Sequence, residues 1–129
     1  MTVLENAEPE FIHNLILGGI NLDNATMEGF TALHFASGYG WTSLTEKLLQ
    51  QGANVNLKDH HYGATALHFA VRNNNIAEIK LLLQYGADTQ ILDHKGETPL
   101  DNANNIFIKE LLVQHDEDTM EKFFAIVFN

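Results

Sequence analysis

Gly29-Phe30-Thr31-Ala32-Leu33-His34-Phe35-Ala36 recurs as Gly63-Ala64-Thr65-Ala66-Leu67-His68-Phe69-Ala70, a shift of 34 residues. It returns in altered form as Gly96-Glu97-Thr98-Pro99-Leu100-Asp101-Asn102-Ala103, a shift of 33. A second motif keeps step with the first. Leu48-Leu49-Gln50-Gln51-Gly52-Ala53-Asn54 is matched by Leu82-Leu83-Gln84-Tyr85-Gly86-Ala87-Asp88, and earlier by Leu15-Ile16-Leu17-Gly18-Gly19-Ile20-Asn21. Two motifs locked to one period define a repeat protein, in which each unit buries its apolar face only against its neighbours.

The residues specify what one unit looks like. The glycine ahead of each threonine suits a turn that needs positive φ. Thr31 and Thr65 are placed to cap a first helix, offering its free N–H groups a hydroxyl acceptor. Leu33, Phe35 and Ala36 are expected to face inward from that helix, as are Leu67, Phe69 and Ala70. A second helix carries Leu44, Leu48 and Leu49 in one unit and Ile76, Ile79, Leu82 and Leu83 in the next. Gly52 and Gly86 stop it. Small Ala36 and Ala70 allow neighbouring helices to approach closely.

On these motifs the chain resembles the ankyrin-repeat family, whose period is 33 and whose signature is T-P-L-H-x-A. The resemblance covers about residues 5 to 115. It implies a mainly α fold, a solenoid of stacked helix-turn-helix units joined by β-hairpin loops. One domain over residues 1–129 is expected: an N-terminal half-repeat cap (1–28), repeats at 29–62 and 63–95, a truncated repeat (96–115) and a C-terminal capping segment (116–129). The cap supplies only a second helix, around Pro9 to Leu17. In the last repeat Asp101 replaces the histidine and three residues are missing between the helices, which suits a terminal unit; the two modified ends are expected to close the array. The finger Asp59-His60-His61-Tyr62 holds one extra residue. Met120 to Phe128 is rich in large apolar residues and is expected to form a final helix folded over Ile106, Phe107 and Leu111. The alternative is a docking strip for a partner or a second copy.

Seven Lys and Arg against 17 Asp and Glu give a formal charge of -10. That excludes a phosphate-backbone binder, which needs clustered cations, and any partner selected by charge is basic. Cysteine is absent, which removes disulfides, Cys-based zinc sites and thiol nucleophiles. The opening Met1 to Glu10 is acidic and polar, unlike a secretory signal, and no stretch reaches the roughly 20 apolar residues of a membrane span. The expected location is the cytoplasm, of the protein's own cell or of a host cell, and the free protein is expected to be a monomer that contacts neither nucleic acid nor membrane.

Chemistry is sparse. His34 and His68 stand three residues after the threonine, at the family's fixed histidine, where the ring bonds the threonine hydroxyl and loop backbone. The pair His60 and His61 has two candidate carboxylates nearby, Asp59 and Asp93, but adjacent side chains in an extended finger point apart and chelate poorly. No phosphate loop, dinucleotide fingerprint or H-E-x-x-H occurs, and Ser37 and Ser43 have no histidine at a motif spacing. No cofactor, metal or catalytic residue is assigned, and an enzyme is not expected.

Recognition of a partner protein remains. The resemblance implies that hairpin tips and first-helix faces form a concave binding surface. Carried onto this chain, it includes Met27, Glu28 and Phe30 from one finger, His61, Tyr62 and Ala64 from the next, and His94, Lys95 and Glu97 from the last. The first helices add Ser37, Tyr39 and Trp41, then Arg72 and Asn73. The partner-binding set is Phe30, Tyr39, Trp41, His61, Tyr62, Arg72, Asn73, His94 and Lys95, because aromatics and arginine dominate binding hot spots. Phe30 and Tyr62, beside turn glycines, are expected to be exposed; Trp41 has packing between the two helices as its alternative. An adaptor module fits, as does an immunity or antitoxin type of inhibitor covering a basic toxin; a small enzyme is the remote alternative.

Overall fold

The computed structural model describes residues 21–128. The expected N-terminal helix around Pro9 to Leu17 lies outside the described residues. Among those described are helices α1 (Ala32–Tyr39), α2 (Thr42–Gln50), α3 (Ala66–Arg72), α4 (Ile76–Gln84) and α5 (Ile106–Phe128), with a 3₁₀ turn at Leu100–Asn102 ahead of α5.

Each threonine starts its helix as expected. Thr31 Oγ1 accepts from the His34 backbone N–H and the His34 ring accepts in return from the Thr31 N–H, a capping box; Thr65 and His68 repeat it. The other ring nitrogen reaches into the following unit. His34 Nε2 lies 3.0 Å from the Leu57 carbonyl, and His68 Nε2 lies 3.0 Å from the Glu97 carbonyl. One imidazole therefore caps its own helix and ties down the next finger. The Asp101 substitution then has a physical reason. Its carboxylate accepts from the Thr98 N–H at 2.9 Å, keeping the cap, while the outward donor is dispensed with where no further finger follows among the described residues.

The fingers stack through the backbone: the His60 N–H donates to Glu28 O at 2.6 Å, and the His94 N–H to Tyr62 O at 2.9 Å. Only an isolated bridge between Ala25 and Thr31 has β pairing among the described residues, so the expected β-hairpin loops are hairpin turns rather than strands. Gly29, at φ +85, supports this stacking, since a Cβ there would stand 3.0 Å from the His60 backbone nitrogen. The extra residue in the second finger is absorbed at its tip. Asp59 accepts from the N–H groups of Tyr62 and Ala64, whereas Asp93 accepts from those of Lys95 and Glu97.

The core runs along the stack: Leu33, Leu44, Leu48, Leu67, Ile79, Leu82, Ile108 and Leu112 are buried, and Ala36 and Ala70 sit fully buried between helices. Burying each of these large side chains contributes roughly 1.5–3 kcal/mol. Two expectations fail. Phe35 is exposed and Phe69 half-buried, so neither points into the core. The C-terminal segment does not fold back either. Asn105 caps α5 through the Phe107 N–H, no glycine or proline interrupts the residues beyond it, and a single helix of 23 residues runs to Phe128. Ile106 and Phe107 stay exposed, and so does every residue from Glu117 to Phe128.

Candidate functional site

Wherever the first helices turn their outer residues toward the fingers, aromatic rings collect. The Phe30 ring lies 5.8 Å from Phe35, 6.0 Å from Phe69 and 6.3 Å from Tyr62, and Tyr62 lies 6.0 Å from Phe69. These contacts are tilted or edge-on, the geometries that ring quadrupoles favour. Phe30, Phe35 and Phe69 floor a groove of about 370 Å³, completed by His34, Gly38, Tyr39 and Asn73, with Tyr62 packed at its edge. Gly38 leaves room on the groove's wall, where a Cβ would stand 3.8 Å from Phe69 Cβ and from Asn73 Nδ2. One repeat later the same place is held by Arg72, whose guanidinium lies 5.8 Å from the Tyr62 ring centre and 5.7 Å from that of Phe69.

Arg72 begins a second, more polar cleft of about 360 Å³, lined by His61, Tyr62, Asp93, His94, Lys95, Glu97 and Asn102 as well. The arginine is fixed there. It donates to Asp93 Oδ2 at 2.6 Å and through Nε to Asn102 Oδ1 at 2.5 Å. Asp93 is 6% exposed. Burial pushes its carboxyl up, but the N–H groups of Glu97 and Lys95, with the charge of Arg72, hold it below its ordinary 3.8. Both carboxylate oxygens are therefore spent on the finger and the arginine. Replacing Arg72 by alanine leaves a buried carboxylate without its cation. We expect a loss of about 1–3 kcal/mol in denaturant unfolding, and an unchanged midpoint would contradict that role.

Of the nine expected partner-binding residues, the structure brings Phe30, Tyr39 and Asn73 to the aromatic groove. It brings His61, Tyr62, Arg72, His94 and Lys95 to the polar cleft beside it. Trp41 belongs to neither. It is 8% exposed, stacked 5.1 Å from Tyr39 at the start of α2, so it is a core residue. Phe30 is half-buried rather than exposed, because Phe35, Phe69 and Tyr62 surround it. Ser37 and Ala64, also expected on this face, are fully buried. Phe35 and Phe69 were the residues missed. A helical wheel held the signal, since Phe35 lies about 200° from the core residue Leu33 at 100° per residue.

Two histidines at the base of the fingers make the fold sensitive to pH. Burial pushes the imidazoles of His34 and His68 below the ordinary 6.5, outweighing the carbonyls they face and the charges of Asp59 and Asp93. The folded state thus holds them neutral, whereas the unfolded chain takes up protons as pH falls through 6.5. Their contribution to stability is complete above about 6.5 and is lost progressively below it. Asp93 acts lower, its contribution fading only as pH drops below its ordinary 3.8. We expect the thermal midpoint to fall between about pH 7.5 and 5.5. A flat or rising midpoint over that range would show that these rings are not held neutral. With both nitrogens of each ring engaged, neither histidine is available as an acid–base catalyst. Among the described residues no three His, Asp or Glu side chains converge as metal ligands.

The chain matches the family model for ankyrin repeats (3 copies) over residues 1–93 and again over 43–122. It belongs to the ankyrin-repeat family, whose members are generally protein–protein interaction modules and typically non-enzymatic. Comparison with curated proteins gives no match. No helix among the described residues is long and apolar enough to cross a membrane.

Proposed function

We propose that this protein binds a partner protein through its concave face, without catalysis, using the aromatic groove for an apolar side chain and the neighbouring polar cleft for orientation. The observation that carries this reading is the cluster of Phe30, Phe35 and Phe69 beside Gly38, continued by Tyr62 into the neighbouring polar cleft. Exposed aromatic patches of this kind are costly in water and mark binding surfaces. The charge of -10 supports a basic partner, drawn in by long-range attraction. A cytoplasmic protein, monomeric when free and organised as one domain, fits this role. An inhibitor of a basic toxin is the narrower form of the same reading, and the acidity is the feature that favours it.

The test compares capture from native lysate by the wild-type chain, by a Phe35→Ala/Tyr62→Ala variant and by Glu46→Gln on the exposed side of α2. A partner retained by the wild type and by Glu46→Gln but lost from the concave variant is the expected result. Equal capture by all three would remove the concave face from the reading.

A further inference from the structure

Leu48-Leu49, Leu82-Leu83 and Leu112-Val113 are equivalent pairs in successive second helices. The first of each pair is core. The second is covered only while another repeat follows: Leu49 is 5% exposed and Leu83 8%, but Val113 is 42% exposed. Leu83 faces α5 across a cleft that it shares with Leu111, Gln114, His115 and Asp118. Val113 lies on the other side of α5, where a further unit would stand.

This uncovered side continues along the helix. Ile106, Val113, Met120 and Val127 recur every seven residues, with Phe124 among them, and all are exposed. At 100° per residue they fall within about 60° of one another, well away from the buried pair Ile108 and Leu112. One apolar position recurs four times at a seven-residue spacing, joined by Phe123 and Phe124 only near the C-terminal end, so α5 carries a narrow exposed apolar stripe on which another helix could seat. The α5 helix, at 23 residues or about 34 Å, is long enough to offer such a seam.

The edges of the seam select the occupant. The two shallow clefts along it are lined by Glu110, Asp116, Glu117 and Glu121, with Lys109 as the cation among their lining residues. An antiparallel second copy would set the Glu110–Glu117–Glu121 edge against itself, which like charges oppose. An anionic membrane surface is disfavoured on the same ground. We propose that α5 docks an amphipathic helix of another protein, one whose apolar seam is flanked by lysine or arginine. This site is separate from the concave face and stands whether or not that face binds as proposed above.

The test uses the full chain and two helical peptides of about three heptads, each with leucine at the seam positions, one carrying lysine and the other glutamate at the flanking positions. Binding is read by fluorescence anisotropy. The lysine peptide should bind at least tenfold more tightly at low salt, with the gap closing as salt rises. A Val113→Glu/Met120→Glu variant should lose that binding by more than tenfold while keeping its thermal midpoint, because both residues are exposed. Phe35→Ala/Tyr62→Ala should bind the peptide like the wild type, which separates this site from the concave one. Equal binding of the two peptides, no binding, or binding that survives the Val113/Met120 changes would overturn the proposal. So would sedimentation showing a dimer that those same changes dissociate, since a second copy would then be the occupant.

Discussion

Leu67→Ala is expected to cost the fold about 2–5 kcal/mol, the range for a core leucine truncated inside rigid surroundings. Leu67 is fully buried in α3, in the middle unit of the described stack, where repeats on either side prevent the cavity from collapsing. Stability in a solenoid is a sum of unit and interface contributions, so a defect in the middle unit weakens contacts in both directions. For a domain with 5–15 kcal/mol in total, that loss moves the urea midpoint far down. Met27→Ala, at 98% exposure, serves as the control and should change stability by less than about 0.5 kcal/mol. A near-native midpoint for Leu67→Ala would mean that the register of the repeats is wrong.

Phe35→Ala combined with Tyr62→Ala should weaken binding of the captured partner by tenfold or more, about 1.4 kcal/mol, in calorimetry. Both side chains are 40–46% exposed, Phe35 in the aromatic groove and Tyr62 in the cleft beside it, so their removal alters the binding face and spares the core. Tyr62 and Arg72 together would be the natural pair to choose from sequence, since tyrosine and arginine lead hot-spot statistics. Arg72 is unsuitable, because its ion pair to Asp93 would bring a folding defect into the binding measurement. An unchanged affinity for the Phe35/Tyr62 variant, with the thermal midpoint preserved, would place the partner elsewhere on the molecule.

The repeat made most of the fold legible. Threonine, leucine and histidine at fixed spacing determine a capping box and an inward leucine by local geometry alone, and the structure has both in each full unit. The hydrogen bonds from His34 and His68 to the next finger follow from the same spacing, because the ring has a second nitrogen to satisfy. Less legible was which aromatic faces which way. Trp41 and Phe35 are both large, apolar and close to the end of α1, yet one is buried and the other lines the groove. The difference lies in the turn at Gly40, which directs Trp41 under Tyr39. Arg72 read as a free binding residue because its partner, Asp93, is 21 positions away in the chain. The end of the chain misled for another reason. A run of apolar residues implies burial, but Met120 to Phe128 continues α5 beyond the repeats, with nothing among the described residues to pack on.

Hydrogen exchange on the chain with and without its captured partner tests the concave-face reading most directly. Bound partner should slow exchange in the fingers and first helices, over residues 27–39 and 61–73, while the exposed sides of α2 and α4 remain as they are in the free protein. Protection confined to α2 and α4, with the fingers and first helices unchanged, would contradict it.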